Sequence, residues 1–170
     1  MAAVLTREIV LEDILQKFEG SLVLDEQTLS DLPLLVCRQE AIVNLLEYLY
    51  FHKQFQFQFL TTLCGIHYPD NTGAEFAVMY QIHSLIHNIR LRLKIFLPQD
   101  NLHTPTITHL FAAANWMERE AYDFYGIIFD GHPNLVRIYN VDEMDYHPLR
   151  KEYPLEDQTR QDKENLYFGR

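Results

Sequence analysis

The run IRLRLKIFL constrains the fold more than any other stretch, because Ile89, Leu91, Leu93, Ile95 and Leu97 alternate with Arg90, Arg92, Lys94 and Phe96. A period of two sends successive side chains to opposite faces, so the run reads as a strand with one buried and one wetter face. Such a strand needs neighbours. The stretch Phe55 to Tyr68 is rich in Phe, Leu, Ile and Thr, Pro69 to Gly73 supplies turn chemistry, and EFAVMYQIHS follows. Together they predict a β-hairpin. SLVL at 21–24 and LPLLVC at 32–37 predict two further short strands flanking a polar turn.

The sheet's apolar face requires a cover, and the helical periods supply it. Ile9, Val10, Ile14 and Phe18 recur at helical spacing between Thr6 and Phe18, with Gly20 beyond the end. Ile42, Leu45, Leu46 and Leu49 line one face of a second helix. ITHLFAAANWMEREAYDFY, residues 107–125, predicts the longest helix, closed by Gly126 in the role of a left-handed cap. Past Gly126 the period disappears among Pro133, Pro148 and Pro154. The fold class is therefore α+β: an antiparallel or mixed sheet covered by helices, with an extended C-terminal loop region and tail. The domain is drawn at residues 1–155, and 156–170 as an extended tail ordered by partners.

Charge and cysteine content exclude several functions. A net charge of -10 repels phosphate backbones, so nucleic acid is no partner. The longest apolar runs are interrupted by Arg, Lys, His or Gln and fall short of the roughly 18 residues a spanning helix needs, so no direct membrane insertion is expected. Cys37 and Cys64 lack CxxC spacing, which points to a reducing compartment and falls short of the four thiolates an iron-sulfur cluster usually takes. His83 and His87 have i, i+4 spacing but no intervening Glu and no third ligand nearby, so they read as polar histidines and not metal ligands. Neither a GxSxG elbow nor a glycine-rich phosphate loop is present. Catalytic, cofactor-binding and metal residues are thus expected to be absent.

Two clusters of polar residues remain. In Glu118-Arg119-Glu120 the two carboxylates lie about 200° apart on a helix, too far round to form an acid-base pair, while Arg119 and Asp123 share a face. Trp116, Tyr122, Phe124 and Tyr125 crowd the same turns, so a carboxylate here is expected to pair with an arginine from the later loops. Those loops hold His132-Pro133 with Arg137, echoed by His147-Pro148 with Arg150 and Lys151. His-Pro holds the backbone extended or turned, and the arginine that follows offers a fork of donors. Arg119 and Glu120 are expected to join Arg137 and Arg150 in knitting the helix to these loops. A free-standing enzyme using His132 or His147 as a base is the competing reading, and it lacks a carboxylate at a defined spacing.

EREAYDFYGIIFDGHPNLVRI at 118–138 resembles the signature of the family of respiratory complex I C subunits, and HPLRKEYP at 147–154 resembles its second block. The NWMERE approach and the order of elements extend the likeness over residues 1 to about 155; Tyr146 stands where a Gly would precede the second His-Pro. The resemblance implies a structural member of the peripheral arm of a proton-translocating NADH-quinone oxidoreductase, on the cytoplasmic side of a bacterial inner membrane. It implies the B, D and I subunits of complex I as neighbours, with FMN, iron-sulfur clusters and quinone on other subunits and none on this chain. NADH and quinone are then substrates of the whole complex. Glu118, Arg119, Glu120, Asp123, Gly126, His132, Pro133, Arg137, His147, Pro148, Arg150 and Lys151 would be its interface residues. Energy-converting membrane-bound hydrogenases and ferredoxin-dependent quinone reductases share the scaffold and form the alternative.

Overall fold

The computed structural model describes residues 5–25 and 32–153; the polar turn between the first two strands and the tail from 156 lie outside them. The alternation at 89–97 is met residue by residue. Strand β5 (Ile89–Leu97) buries Ile89, Leu91, Leu93, Ile95 and Leu97 and turns Arg90 to solvent. It pairs antiparallel with β4 (Phe76–Ser84), which pairs antiparallel with β3 (Phe59–His67). On its other side β5 runs parallel to β2 (Leu34–Cys37), and β2 pairs antiparallel with β1 (Leu22–Asp25). The result is a mixed five-stranded sheet in the order β1-β2-β5-β4-β3.

Strand β3 starts at Phe59, although its aromatic pattern begins at Phe55. Gln56 adopts φ 49°, and the Phe57 amide donates to the Leu49 carbonyl at 3.1 Å, which ties residues 55–58 to the helix before them. Phe55 and Phe57 are buried all the same, in a connection and not in the ladder.

Three helices cover the core face of the sheet. Helix α1 (Arg7–Lys17) starts at Thr6, whose hydroxyl accepts from the Ile9 amide, and it buries Val10 and Ile14. Ile9 is exposed, so the apolar face is narrower than its spacing suggests. Helix α2 (Ile42–Phe51), entered through a 3-10 turn at Gln39–Ala41, buries the four residues its period marks. Helix α3 (Ala114–Tyr125) is shorter than the helix-forming run that contains it. Residues 107–113 form successive turns instead, in which Ile107, Leu110 and Phe111 reach the core. A short parallel pair, β6 (His103–Pro105) with β7 (Ile128–Asp130), brackets α3 and has no counterpart in the sequence pattern.

Helix α3 packs against β3 with the Tyr125 ring over Gly65. A Cβ built there would fall 2.6 Å from Cδ2 of Tyr125, so only glycine leaves room for that ring. Among the described residues, no helix is long and apolar enough to cross a membrane.

Candidate functional site: the polar clamp on α3

A helix leaves its last four carbonyls without intrahelical partners. In α3 these belong to Tyr122, Asp123, Phe124 and Tyr125, and each finds a donor. The Gly126 amide donates to Tyr122 O at 2.8 Å, and the Leu149 amide to Phe124 O at 3.2 Å. His147 Nδ1 and Arg137 Nη1 reach Asp123 O at 3.0 and 3.2 Å, and Arg150 Nε donates to Tyr125 O at 2.9 Å. Gly126 has φ +77°, and a Cβ there would meet His147 Nε2 and Arg150 Nη2 at 2.6 Å. The loop 147–150 therefore closes over the helix end only because Gly126 has no side chain.

The Asp123 carboxylate is the hub of this end. Its Oδ2 accepts from the amides of Ile138, Tyr139 and Asn140 at 3.0, 2.8 and 3.1 Å. Its Oδ1 accepts from Arg137 Nη1 at 3.0 Å and from the Asn140 side chain at 2.9 Å. Burial alone would raise its pKa, but the bonds from the Asn140 side chain and the three amides overcome that and hold the carboxyl far below the usual carboxylate range. Arg137 also donates to Met144 O and Tyr146 O at 2.8 and 3.2 Å. One buried ion pair thus draws two stretches of irregular chain, 137–140 and 144–146, onto one helix.

Glu118 occupies the other end and behaves oppositely. It is fully buried and accepts from the Ile107 amide at 2.8 Å and the Thr106 hydroxyl at 2.6 Å. Among the described residues, its one cation-forming neighbour within 4.0 Å is His132. Desolvation dominates the two hydrogen bonds and pushes its pKa up to about 7. His132 Nε2 lies 3.0 Å from Asn115 O, and its Nδ1 accepts from the Asn134 amide at 3.0 Å. These partners require the neutral ring protonated on Nε2. Both His-Pro motifs therefore do the same thing: each ring donates to an α3 backbone carbonyl, one near the helix start and one near its end.

The expected pairing of a helix carboxylate with a loop arginine is present, with Asp123 and Arg137 as its members. Arg119 does not pair with Asp123 across the helix face; it donates to Val136 O and Arg137 O and lies over the Trp116 ring, 4.7 Å from its centroid. Glu120 stays outside the cluster, exposed, and among the described residues it has no hydrogen bond or ion pair to Arg137 or Arg150. Lys151 contributes its backbone amide, which donates to His67 Nδ1 at 2.9 Å, and its side chain is exposed. Pro133 is exposed and Pro148 half-buried. Thr106, Asn140 and His67 also belong to the cluster, and no spacing or motif in the sequence marks them. His67 is stacked on Phe76 at 4.3 Å, and burial lowers its pKa, so it packs neutral as an acceptor.

Elsewhere, His83 is bonded to Asn88 at 3.1 Å, and among the described residues no three His, Cys, Asp or Glu side chains converge as a metal site would require. Cys37 and Cys64 are both free thiols; burial pushes Cys37 up to about 11 and Cys64 upward as well.

Asp123, Arg119, Arg137 and Arg150 are engaged with the chain's own backbone, which defines an α+β domain whose loops are pinned to one helix. Its sequence identifies the family of that domain. The model of the family described as respiratory-chain NADH dehydrogenase, 30 Kd subunit, matches residues 35–159, and this chain belongs to that family. It is 42% identical over 118 residues to the C subunit of the NADH-quinone oxidoreductase of Mycobacterium ulcerans, covering 69% of this chain and 50% of that one. Identity to the corresponding C subunit of Mycolicibacterium gilvum is 46% over 100 residues, 59% of this chain and 44% of the relative. The chain spans about half the length of the curated relatives it matches. A solved trypsin-resistant fragment of Nqo5 superposes with a TM-score of 0.64 at 31% identity, over 75% of this chain and 98% of the fragment. A chain of an archaeal membrane-bound sulfane sulfur reductase superposes at 0.72 with 18% identity, over 87% and 85%, which shows a shared fold alone.

Proposed function

We propose that this chain is a structural member of the peripheral arm of a proton-translocating NADH-quinone oxidoreductase, supporting electron transfer from NADH to quinone that is carried out on other subunits. The observation that carries this reading is the match over 35–159, which contains both His-Pro motifs and the whole of α3, together with 42% identity to a C subunit of such an enzyme. In this reading the chain holds no cofactor; FMN, iron-sulfur clusters and quinone sit on neighbours, among them the B, D and I subunits. The arm lies on the cytoplasmic side of a bacterial inner membrane, and the α3 residues and loops face those neighbours.

The commitment of the histidines supports a scaffold over a free-standing enzyme. Both ring nitrogens of His132 have backbone partners, and His147 holds Asp123 O through Nδ1 while Nε2 lies against Gly126. A general base needs a ring nitrogen within reach of substrate. Affinity purification of the tagged chain from detergent-solubilised membranes, followed by mass spectrometry and an NADH-quinone assay, tests the proposal. Recovery with the B, D and I subunits and with quinone-dependent NADH oxidation is the expected result. Recovery with hydrogenase subunits, or as a lone chain, overturns it.

A further inference from the structure

A buried carboxyl that changes its charge must be accommodated in both states, since the acid needs an acceptor for its proton and the anion needs donors. Glu118 has a partner that can act as either. Its Oε2 lies 2.6 Å from Thr106 Oγ1, which in turn lies 3.0 Å from Thr108 Oγ1 and accepts from the Thr108 amide at 3.2 Å. With Glu118 protonated, its O–H donates to Thr106 and the Thr106 hydroxyl donates onward to Thr108; with Glu118 ionised, both hydroxyls turn round and Thr106 donates to the carboxylate. Thr108 is half-buried, so the two hydroxyls link the buried acid to the surface.

The anion remains short of donors, with the Ile107 amide and the Thr106 hydroxyl against the five groups that serve Asp123. A third stands close by. His132 Nε2 is 4.0 Å from Oε2, neither side chain has exposed surface, and the Nε2–H now points to Asn115 O at 3.0 Å. A hydrogen bond to a carboxylate is roughly twice as strong as one to a neutral carbonyl, and Asn115 lies within α3, where the helix supplies its carbonyl with a donor four residues on. One N–H therefore stands between two acceptors, and the charge on Glu118 decides between them.

The other titratable groups around Glu118 are committed elsewhere. Burial raises both Tyr80 on β4 and Cys37 on β2, so they keep their protons through neutral pH. His109 turns outward to Glu47 on α2, and His103 pairs with Asp130 at the surface of β6 and β7. On α3 itself Arg119 donates to the Val136 and Arg137 carbonyls, Glu120 is exposed, and Tyr122 faces His147.

We infer that Glu118 is a proton-operated latch for the turn at 131–134: protonated, it leaves His132 on Asn115 O near the start of α3, and ionised, it draws the Nε2–H to itself. The Asn134 amide, bonded to Nδ1 of the same ring, shifts with it. Burial has moved the carboxyl up to about 7, so the change falls near neutral pH. The latch belongs to the chain itself and stands or falls apart from its assembly into a complex.

Long-range proton–nitrogen correlation NMR of the imidazole rings in the full chain, titrated from about pH 5 to about pH 9, tests it. His132 Nε2 should move downfield as it comes to donate to the carboxylate, with a midpoint of about 7, and the Asn134 amide should move with the same midpoint. Nδ1 should keep the shift of an unprotonated nitrogen throughout. Glu118→Gln should hold both signals at their low-pH positions, and Thr106→Val, which takes a donor from the anion, should move the midpoint upward. A His132 Nε2 that stays fixed across the range overturns the latch, as does a midpoint unmoved by Thr106→Val. So does a transition that survives Glu118→Gln or one in which Nδ1 gains a proton, because the ring and not the carboxyl would then be the titrating group.

Discussion

The two ends of α3 each bury a carboxylate, and the two acids respond in opposite directions. Glu118 receives one amide and one hydroxyl and is pushed up to about 7, whereas Asp123 receives three amides, a side-chain amide and a guanidinium and is held far below its usual range. Neither side chain has exposed surface, but Glu118 lies deeper in the protein and its desolvation outweighs two donors, whereas at Asp123 the donors win. The number of donors adds to this difference in depth, because each donor from the Asn140 side chain and the three amides favours the charged form. The acidic end that is fully satisfied organises the loops; the end that is not remains proton-sensitive.

The largest effect expected from breaking this contrast is at the satisfied end. Asp123→Ala leaves the Arg137 guanidinium and three amides without their acceptor, and a buried charge stripped of its partner costs about 3–5 kcal/mol. Chemical denaturation of the purified chain should show that loss, and limited proteolysis should cut within 137–150 first. A loss under about 1 kcal/mol would mean that the loops are held by something other than the carboxylate.

Glu118→Gln comes next, and its signature is pH dependence. A carboxyl whose folded pKa lies above its unfolded value stabilises the fold at low pH, and that contribution is lost as pH rises from about 4.5 to about 7. Gln mimics the protonated acid, so the variant should gain relative to wild type across that window, by on the order of 1–3 kcal/mol at pH 8. His67 and His147, whose pKa values burial lowers, destabilise both proteins as pH falls below about 6.5 and cancel in the difference. A flat difference between pH 4.5 and 8 would place Glu118 in the ionised state throughout. Asp123 has the reverse sign: its contribution is present above the unfolded carboxylate pKa and is lost only in strong acid.

Gly126→Ala should cost about 1–3 kcal/mol, combining a left-handed φ with a collision against His147 and Arg150. Loss of the His147 ring contact with Tyr122, 6.1 Å between centroids, should appear as shifted aromatic resonances in the NMR spectrum. The smallest effect is expected for Glu120→Ala, within about 0.5 kcal/mol, since that side chain is exposed. Equal losses from Glu120→Ala and Asp123→Ala would erase the distinction between a surface acid and the hub.

Part of this site is legible along the chain. Helical geometry alone separates Glu118 from Glu120, and one is indeed buried and the other exposed. The repeated His-Pro with a following arginine marks both clamps. The partner of Asp123 is not legible, because Arg119 at i, i+4 and Arg137 in the loop are equally plausible along the chain. Only the fold presents three consecutive amides and the Asn140 side chain beside Arg137, and a carboxylate buried among five donors is better compensated than one in a single exposed helix pair.

Local periods and short motifs suffice for the strand alternation of β5, the apolar face of α2, the glycine stop of α3 and the family, because each of these is written within a few consecutive turns or pleats. The parallel pairing of β2 with β5, the β6–β7 pair, the start of β3 at Phe59 and the role of Asp123 rather than Glu120 as hub emerge only in three dimensions. These depend on contacts between residues far apart in the chain, where local propensity is silent and the outcome rests on which buried groups find partners.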